Sequence, residues 1–179
     1  KTEGYKILEF NTKKELKPFI IPALEVMNET FAEIYGFVPL TDKEKKEFAD
    51  RYLLILDPKF IKMVEKEGNM IGFAVGLPDV SPGIKACRGR LLPFGILKVL
   101  KVSKQSKKLL MMLGGVKEQY RGKGIDVLMG VKILESAIRQ KMEIIDSHLV
   151  LEDNIRMRSE YERIGCQVVK KFRIYQKDL

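Results

Sequence analysis

The sequence predicts an α+β fold, with a mixed, mostly antiparallel central sheet of about six strands flanked by helices. Two observations carry this prediction. Strand-like and helix-like segments follow one another in the order β-α-α-β-β-β-α-β-α-β, and two of the central strands are joined as a hairpin. A regular alternation of strands and helices would instead favour a doubly wound parallel sheet, so the hairpin at the centre decides the class.

The first half of the chain supplies three strands and two helices. Apolar residues at helical spacing place a helix in much of residues 13–35, and Pro22 is expected to kink it or to mark its true start. Thr41 and Glu44 form a capping box that starts a second helix, which ends at Asp57-Pro58. The predicted strands are Tyr5–Phe10, Phe60–Glu65 and Met70–Leu77, the last two joined across Glu67-Gly68-Asn69.

The second half begins with a loop marked by Pro78, Pro82 and Gly83. A basic amphipathic helix is predicted within Gly89–Lys107, and Gly165 is expected to end a later helix at about 155–164 as its C′ residue. The other predicted elements are a strand at Lys108–Leu113, a helix to about Lys141 with the apolar stripe Val127, Val131, Leu134 and Ile138, and strands at Ile144–Leu151 and Cys166–Gln176.

Length and composition bound the class of protein. A chain of 179 residues with 45% hydrophobic and 32% charged residues suits one globular domain, residues 1–179. Lys1 is not an initiator Met, so we expect the domain to be the C-terminal part of a longer protein. Two scattered cysteines favour a reducing, cytoplasmic setting, and with one histidine they disfavour a zinc site. No apolar run is long enough to predict a membrane span.

The net charge of +9 is unevenly distributed. No acidic residue occurs between Asp79 and Glu118, whereas this window contains nine lysines and arginines. A block of one sign favours an anionic partner, although a solvated helix face beside a phosphate site explains it equally well. The basic residues are Lys85, Arg88, Arg90, Lys98, Lys101, Lys104, Lys107, Lys108 and Lys117.

The segment 116–126 carries the clearest chemical signal. It follows an apolar strand, contains Gly122 and Gly124 among basic residues, and opens a helix. Backbone N–H groups at a helix N-terminus lack partners within the helix, and the macrodipole favours negative charge there. Glycines let the backbone approach a phosphate closely. The segment therefore predicts a site for a ligand that carries phosphate.

The same residues resemble the GCN5-related N-acetyltransferases (GNAT), and the order of elements is similar along nearly the whole chain. The superfamily signature R/Q-x-x-G-x-G/A is similar to Arg121-Gly122-Lys123-Gly124-Ile125-Asp126. An alternative register, Gln119-x-x-Gly122-x-Gly124, also fits the pattern but starts too early relative to the strand. The family's N-x6-Y-x3-G element resembles Asn154, Tyr161 and Gly165. Residues 36–41, 90–95 and 173–177 are also similar to an uncharacterised bacterial branch, in which such a domain ends a longer protein.

The resemblance implies a site for acetyl-CoA or a longer acyl-CoA as co-substrate, and no metal. In the family, the turn amides bind the coenzyme pyrophosphate, and the end of the fourth strand bonds the pantetheine arm beside a splay of two strands. Asn154 matches a pantetheine contact, although Asn is also favoured as a plain helix N-cap. The implied binding residues are Gly114, Gly115, Val116, Arg121, Gly122, Lys123, Gly124, Ile125, Asp126 and Asn154.

Tyr161 matches the family's general acid, which protonates the departing thiolate. A phenol with a pKa of about 10 can donate to a thiolate whose thiol has a pKa of roughly 8.5. The alternative is that Met157, Tyr161 and Ile164 form the core stripe of a short helix.

Two positions depart from the family pattern. Asp126 replaces the final Gly or Ala of the signature, and its carboxylate would repel a pyrophosphate. Leu149 occupies the place of the carboxylate base that many members carry, which leaves Glu152 and, more weakly, His148 as the nearest candidates.

The leading interpretation is an acyl-CoA-dependent N-acyltransferase domain acting on a small-molecule amine or amino acid. A non-catalytic module that binds coenzyme A or a carrier protein remains an alternative, as does a nucleic-acid or membrane-surface binder that uses the basic segment 85–108. That segment disfavours a cationic acceptor and suits an acidic carrier protein. With one aromatic residue, Phe94, it disfavours nucleic acid. A partner domain on the N-terminal side is also expected.

Overall fold

The computed structural model describes residues 4–90, 94–147, 149–173, 175 and 177. The chain divides into two compact units, residues 1–148 and residues 149–179. The first unit contains the sheet and five helices, and the second contains one helix. Among the described helices, none combines the length and the apolar character that crossing a bilayer requires.

The sheet has five strands in the described part of the chain, and their spatial order follows the chain order. The first four strands pair antiparallel, and the last pair is parallel. The α+β class with a mixed, mostly antiparallel sheet is thus confirmed, with a strand count close to the expected six. The strands are β1 (Tyr5–Glu9), β2 (Ile61–Lys66), β3 (Asn69–Pro78), β4 (Lys108–Val116) and β5 (Ile144–Ser147).

Local signals in the sequence fix several helix starts. Thr12 accepts a hydrogen bond from the Glu15 N–H, and Thr41 and Glu44 form the predicted capping box. Gly165 has a φ of +82°, as its predicted C′ role requires. The helices are α1 (Lys13–Thr30), α2 (Asp42–Tyr52), α3 (Ser81–Ala86), α4 (Gly95–Gln105), α5 (Ile125–Arg139) and α6 (Ile155–Arg163).

Helices cover both faces of the sheet. Successive residues on β2, Met63 and Val64, belong to different apolar clusters, because neighbouring side chains on a strand point to opposite faces. The cluster around Met63 contains Leu16, Ile20, Leu24 and Met27 of α1, and the cluster around Val64 contains Ile125, Met129 and Ile133 of α5. The centre of the sheet is therefore fixed from two sides.

The predicted apolar stripe of α5 is wrong. Val127, Val131, Leu134 and Ile138 are all exposed, and the buried face consists of Ile125, Met129, Ile133 and Ala137. These two sets lie on opposite sides of the helix, at about 100° per residue. Because α5 is apolar on both sides, periodicity identified a helix but not the side that faces the sheet.

Three further expectations differ from the structure. Pro22 lies inside α1, which begins at Lys13, so it does not mark the start. The predicted loop at Pro82 and Gly83 is the helix α3, since proline suits a first helical turn and Asp79 accepts a hydrogen bond from the Ser81 N–H at 2.9 Å. The predicted last strand, Cys166–Gln176, is not formed over the described residues 166–173. These residues make no ladder hydrogen bonds with a neighbouring strand, and such bonds define a strand.

Candidate functional site

Among the residues that the structure describes, the second half of β4 pairs on one side only. Its pairing with β3 continues to Val116, whereas the parallel pairing with β5 stops at Met111 and Ser147. The register against β3 shifts at Met112, which is an extra residue, and such a bulge bends and twists its strand. The structure thus opens an edge of β4 over residues 112–116, and unpaired strand N–H and C=O groups can bond an extended ligand.

Two glycines lie on this open stretch. A side chain at Gly115 would place its Cβ 2.5 Å from Thr30 Oγ1 and 3.2 Å from Phe73 Cε1, so only glycine lets the end of α1 come this close. A Cβ at Gly114 would meet no heavy atom nearer than 3.6 Å. The two adjacent glycines therefore lie in different surroundings. Gly115 is closely packed, whereas Gly114 lies on an exposed surface.

The end of α1 brings residues to this site that the sequence did not predict. Glu29 Oε2 lies 2.8 Å from Lys117 Nζ, directly beyond the end of β4. Thr30 donates its hydroxyl hydrogen bond to the Val26 carbonyl and faces Gly115. No sequence motif marks Glu29, because its position depends on the packing of α1 across the sheet.

The glycine-rich turn links β4 to α5. A single 3-10 turn at Glu118–Tyr120 is followed by Gly122 and Gly124, which have φ values of +77° and +76°. Gly124 is the N-cap of α5 and has no side chain to accept from the first N–H groups of the helix. A Cβ at either glycine would meet nothing within 4 Å. The turn therefore presents helix N–H groups on an open surface, which fits a phosphate group.

Basic side chains surround the turn. Arg121 donates from Nε to the Val116 carbonyl at 3.1 Å, which fixes its guanidinium at the end of β4. Lys123 Nζ lies 5.1 Å from the centre of the Tyr120 ring, and Lys66 Nζ lies 5.9 Å from the same centre. These cations contribute a positive potential beside the helix N-terminus.

Asp126 is folded onto the first turn of α5. The Val127 N–H donates to Asp126 Oδ1 at 3.0 Å, so the carboxylate satisfies one of the helix N–H groups itself. A pyrophosphate on the turn would meet this carboxylate as a like charge and as a rival for the N–H group. That Asp126 weakens an anion site at this turn stays a prediction.

The second unit contains the predicted residues Leu149, Glu152, Asn154 and Tyr161. Asn154 is the N-cap of α6 and accepts from the Met157 N–H at 3.2 Å, which establishes its capping role. The Glu152 carboxylate lies 3.6 Å from Arg173 and is well exposed, and Tyr161 is half-buried. Leu149 is exposed, and His148 lies outside the described residues.

A cavity of about 400 Å³ lies at the opposite end of β4. Its lining includes Phe60, Pro78, Lys104, Lys107 and Met142. Strand geometry puts the two ends of β4 roughly 26 Å apart, so this cavity is separate from the glycine-rich turn.

Solved structures with the same architecture identify the fold. The chain superposes on an aminoglycoside N-acetyltransferase, AAC(6′)-Iy, in complex with coenzyme A, with a TM-score of 0.58, 14% identity, and coverage of 98% of this chain and 95% of that one. The chain has the GNAT fold. An integron cassette protein from the mobile metagenome of V. cholerae shares the fold at a TM-score of 0.62, 13% identity, and coverage of 98% and 93%.

Curated relatives add sequence similarity to the likeness in fold. Protein YghO of Escherichia coli is 29% identical over 161 residues, covering 87% of this chain and 41% of that protein. The bacterial ceramide synthase of Caulobacter vibrioides is 30% identical over 162 residues, covering 87% and 42%. The chain thus spans about two fifths of the length of the curated relatives it matches. No family model matches it.

Proposed function

We propose that this chain is an acyl-CoA-dependent N-acyltransferase domain that acylates an amine. One observation carries the proposal. At the last end of β4, an open strand edge that includes Gly114 is followed directly by a glycine-rich helix N-terminus. An extended amide-bearing arm can bond a strand edge, and a pyrophosphate can bond helix N–H groups. Coenzyme A combines these two chemistries in one molecule.

The reaction needs little covalent chemistry from the protein. The amine nitrogen attacks the thioester carbonyl, the C–N bond forms, the C–S bond breaks, and the thiolate leaves. The amine loses one proton and the thiolate gains one. The domain contributes by positioning the two reactants and by polarising the carbonyl through backbone N–H groups on β4.

Two proton-transfer roles are assigned within this proposal. The family resemblance gives the acid role to Tyr161, whose hydroxyl would protonate the thiolate, and Glu152 is retained as a candidate base. Glu29 is a second candidate base, since its carboxylate lies beside the end of β4, next to Lys117. Glu29→Gln and Glu152→Gln separate these two candidates, with Glu33→Gln as an exposed control. The acyl-transfer rate should fall by roughly 10²–10⁴-fold only in the variant that has lost the base.

Calorimetric titration with coenzyme A tests the site. Gly124→Glu places a side chain and a negative charge at the turn and should abolish measurable binding. Gly89→Glu is the matched control, because Gly89 has a φ of +74° and equally open surroundings but lies outside the site. Equal affinities in the two variants would show that coenzyme A does not bind at the turn.

Turnover separates an enzyme from a binding module. Tyr161→Phe keeps the ring and should leave coenzyme affinity intact, while the acyl-transfer rate falls by roughly 10²–10⁴-fold. An unchanged rate would show that Tyr161 is a packing residue and not the general acid. Coenzyme binding without turnover over a broad amine screen would support the alternative, a non-catalytic module for coenzyme A or an acyl carrier, which Asp126 favours.

A long-chain amino alcohol is the acceptor class to test first. The relative from Caulobacter vibrioides is named a ceramide synthase, and a ceramide is the amide of a fatty acid with such an amine. Acetyl-CoA and palmitoyl-CoA should be compared with a long-chain amino alcohol and an aminoglycoside, with amide products detected by mass spectrometry. Transfer of acetyl groups to the aminoglycoside alone would contradict this acceptor class.

A further inference from the structure

The outward face of α4 combines exposed apolar side chains with lysines. Phe94, at the N-cap, is 72% exposed, and Leu97 is 61% exposed. Lys101 and Lys104 lie on the same side as Leu97, because residues four and seven apart share a face of a helix. Lys98 is exposed at the margin of this face. We call these five residues the α4 outer face.

The inner face of α4 already holds the helix in place. Val99 is 2% exposed and packs with Leu77 and Val80 at the end of β3. A Cβ at Gly83 of α3 would lie 3.0 Å from Val99 Cα and 3.2 Å from Val102 Cβ, so α3 and α4 are in close contact. The α4 outer face is therefore not needed to pack the helix.

The chain segment that carries this face has charges of one sign, and the one carboxylate among the cavity-lining residues near Lys104 is that of Asp57. Lys85, Arg88 and Arg90 are exposed on or next to α3, and the sequence has no acidic residue between Asp79 and Glu118. Asp146 forms an ion pair with Lys108 at 2.5 Å, so one nearby carboxylate is already partnered. The surface is strongly cationic, and an anionic partner would meet little opposing charge.

We propose that the α4 outer face docks on the surface of a bilayer that contains anionic phospholipid. Lysines near such a surface are attracted to lipid phosphates, and exposed apolar residues beside them enter the boundary between headgroups and acyl chains. A nucleic acid would use the lysines but would give Phe94 and Leu97 no apolar environment. This surface is independent of acyl transfer, so it stands or falls separately from the proposed function.

Vesicle flotation without any acyl-CoA tests the proposal. The protein should float with phosphatidylcholine vesicles that contain phosphatidylglycerol and not with pure phosphatidylcholine vesicles, and added salt should weaken binding. Lys101→Glu with Lys104→Glu should lower the partition coefficient by at least about 25-fold, roughly fivefold for each lysine. Lys43→Glu with Lys46→Glu on α2 is the matched control, since these exposed lysines give the same change of charge.

A second pair of variants separates a membrane from a nucleic acid. Phe94→Gln with Leu97→Gln keeps every charge and should weaken vesicle binding on the order of tenfold. Melting temperatures close to the parent value confirm that the variants fold. Binding to both vesicle types alike, equal losses in the two lysine pairs, or salt-dependent DNA binding without flotation would each overturn the proposal.

Discussion

The two ends of β4 differ in strand pairing and in burial. At its first end β4 pairs with both neighbours, and Leu109 is fully buried between β3, β5 and the apolar cluster under α5. At its last end β4 pairs, within the described part of the chain, with β3 and with no other strand, carries two glycines and leads into an open turn. One strand thus contributes a packed core and an accessible edge.

The difference arises from a small number of residues. The extra residue at Met112 changes the register, and the parallel partner ends at Ser147 while β4 continues for five residues after Met111. Rigid packing at one end holds the open end in position, which is what a binding site on backbone atoms requires. Variants at the first end should therefore change stability, and variants on the open edge and turn at the last end should change ligand affinity. Gly115 is the exception at the last end, because it packs against Thr30.

The largest effect is expected at the packed end. Leu109→Ala removes a fully buried side chain and should lower the free energy of unfolding by about 2–5 kcal/mol. Denaturant unfolding gives this loss, and calorimetry at a temperature where the variant is folded should give an unchanged affinity for coenzyme A. A large loss of affinity in folded Leu109→Ala would break the separation between the two ends.

A smaller loss of stability is expected at Gly115. Gly115→Ala forces a Cβ against Thr30 Oγ1 and should cost about 1–3 kcal/mol of unfolding free energy. Gly114→Ala is the control, because its Cβ has room, and it should be nearly neutral. Adding Thr30→Ala should recover part of the loss in Gly115→Ala but not change Gly114→Ala. A similar loss in both single variants would contradict the assigned contact.

At the open end, Asp126→Ala should tighten coenzyme binding. A like-charge contact near the surface is worth on the order of 1 kcal/mol, which corresponds to roughly fivefold in affinity. Glu143→Ala, next to the start of β5, gives the same change of net charge at the packed end and should leave affinity unchanged. Weaker binding by Asp126→Ala would show that the carboxylate orders the turn for its ligand.

The smallest effect concerns the ion pair at the packed end. The hydrogen bond from Lys108 to Asp146 raises the pKa of Lys108. Its stabilising contribution is therefore complete below the ordinary lysine pKa of about 10.4 and is lost as pH rises through the higher folded value. Lys108→Met should be less stable than the parent at neutral pH, and the difference should shrink above that value. If the difference in the free energy of unfolding stays constant across pH, lost packing and not the ion pair causes it.

Local features of the sequence predicted the fold well. The capping box at Thr41, the hairpin turn at Gly68 and the C′ glycine Gly165 each depend on a few adjacent residues, and all are present. The class of sheet followed from the order of these elements. One prediction that failed was the choice of face on α5, because both sides of that helix are apolar and only the sheet selects between them. The loop expected at Pro82 and Gly83, which is the helix α3, was another.

The candidate site could be predicted from the sequence only where it depends on residues that are adjacent in the chain. The turn with Gly122 and Gly124 lies where the sequence placed it, before the N-terminus of α5. The bulge at Met112 and the approach of Glu29 to Lys117 depend on strand register and on helix packing across the sheet. The roles of Tyr161 and Glu152 remain predictions, since they derive from a resemblance in sequence.

The order of the strands also has a consequence for biosynthesis. Because spatial order follows chain order, β2, β3 and β4 can each pair with a strand that has already left the ribosome. The parallel strand β5 must wait for the crossover through α5 before it can join β4. A nascent chain should thus carry a four-stranded antiparallel sheet in which β4 still lacks its second partner, and the free edge of β4 is where we expect a chaperone to bind first.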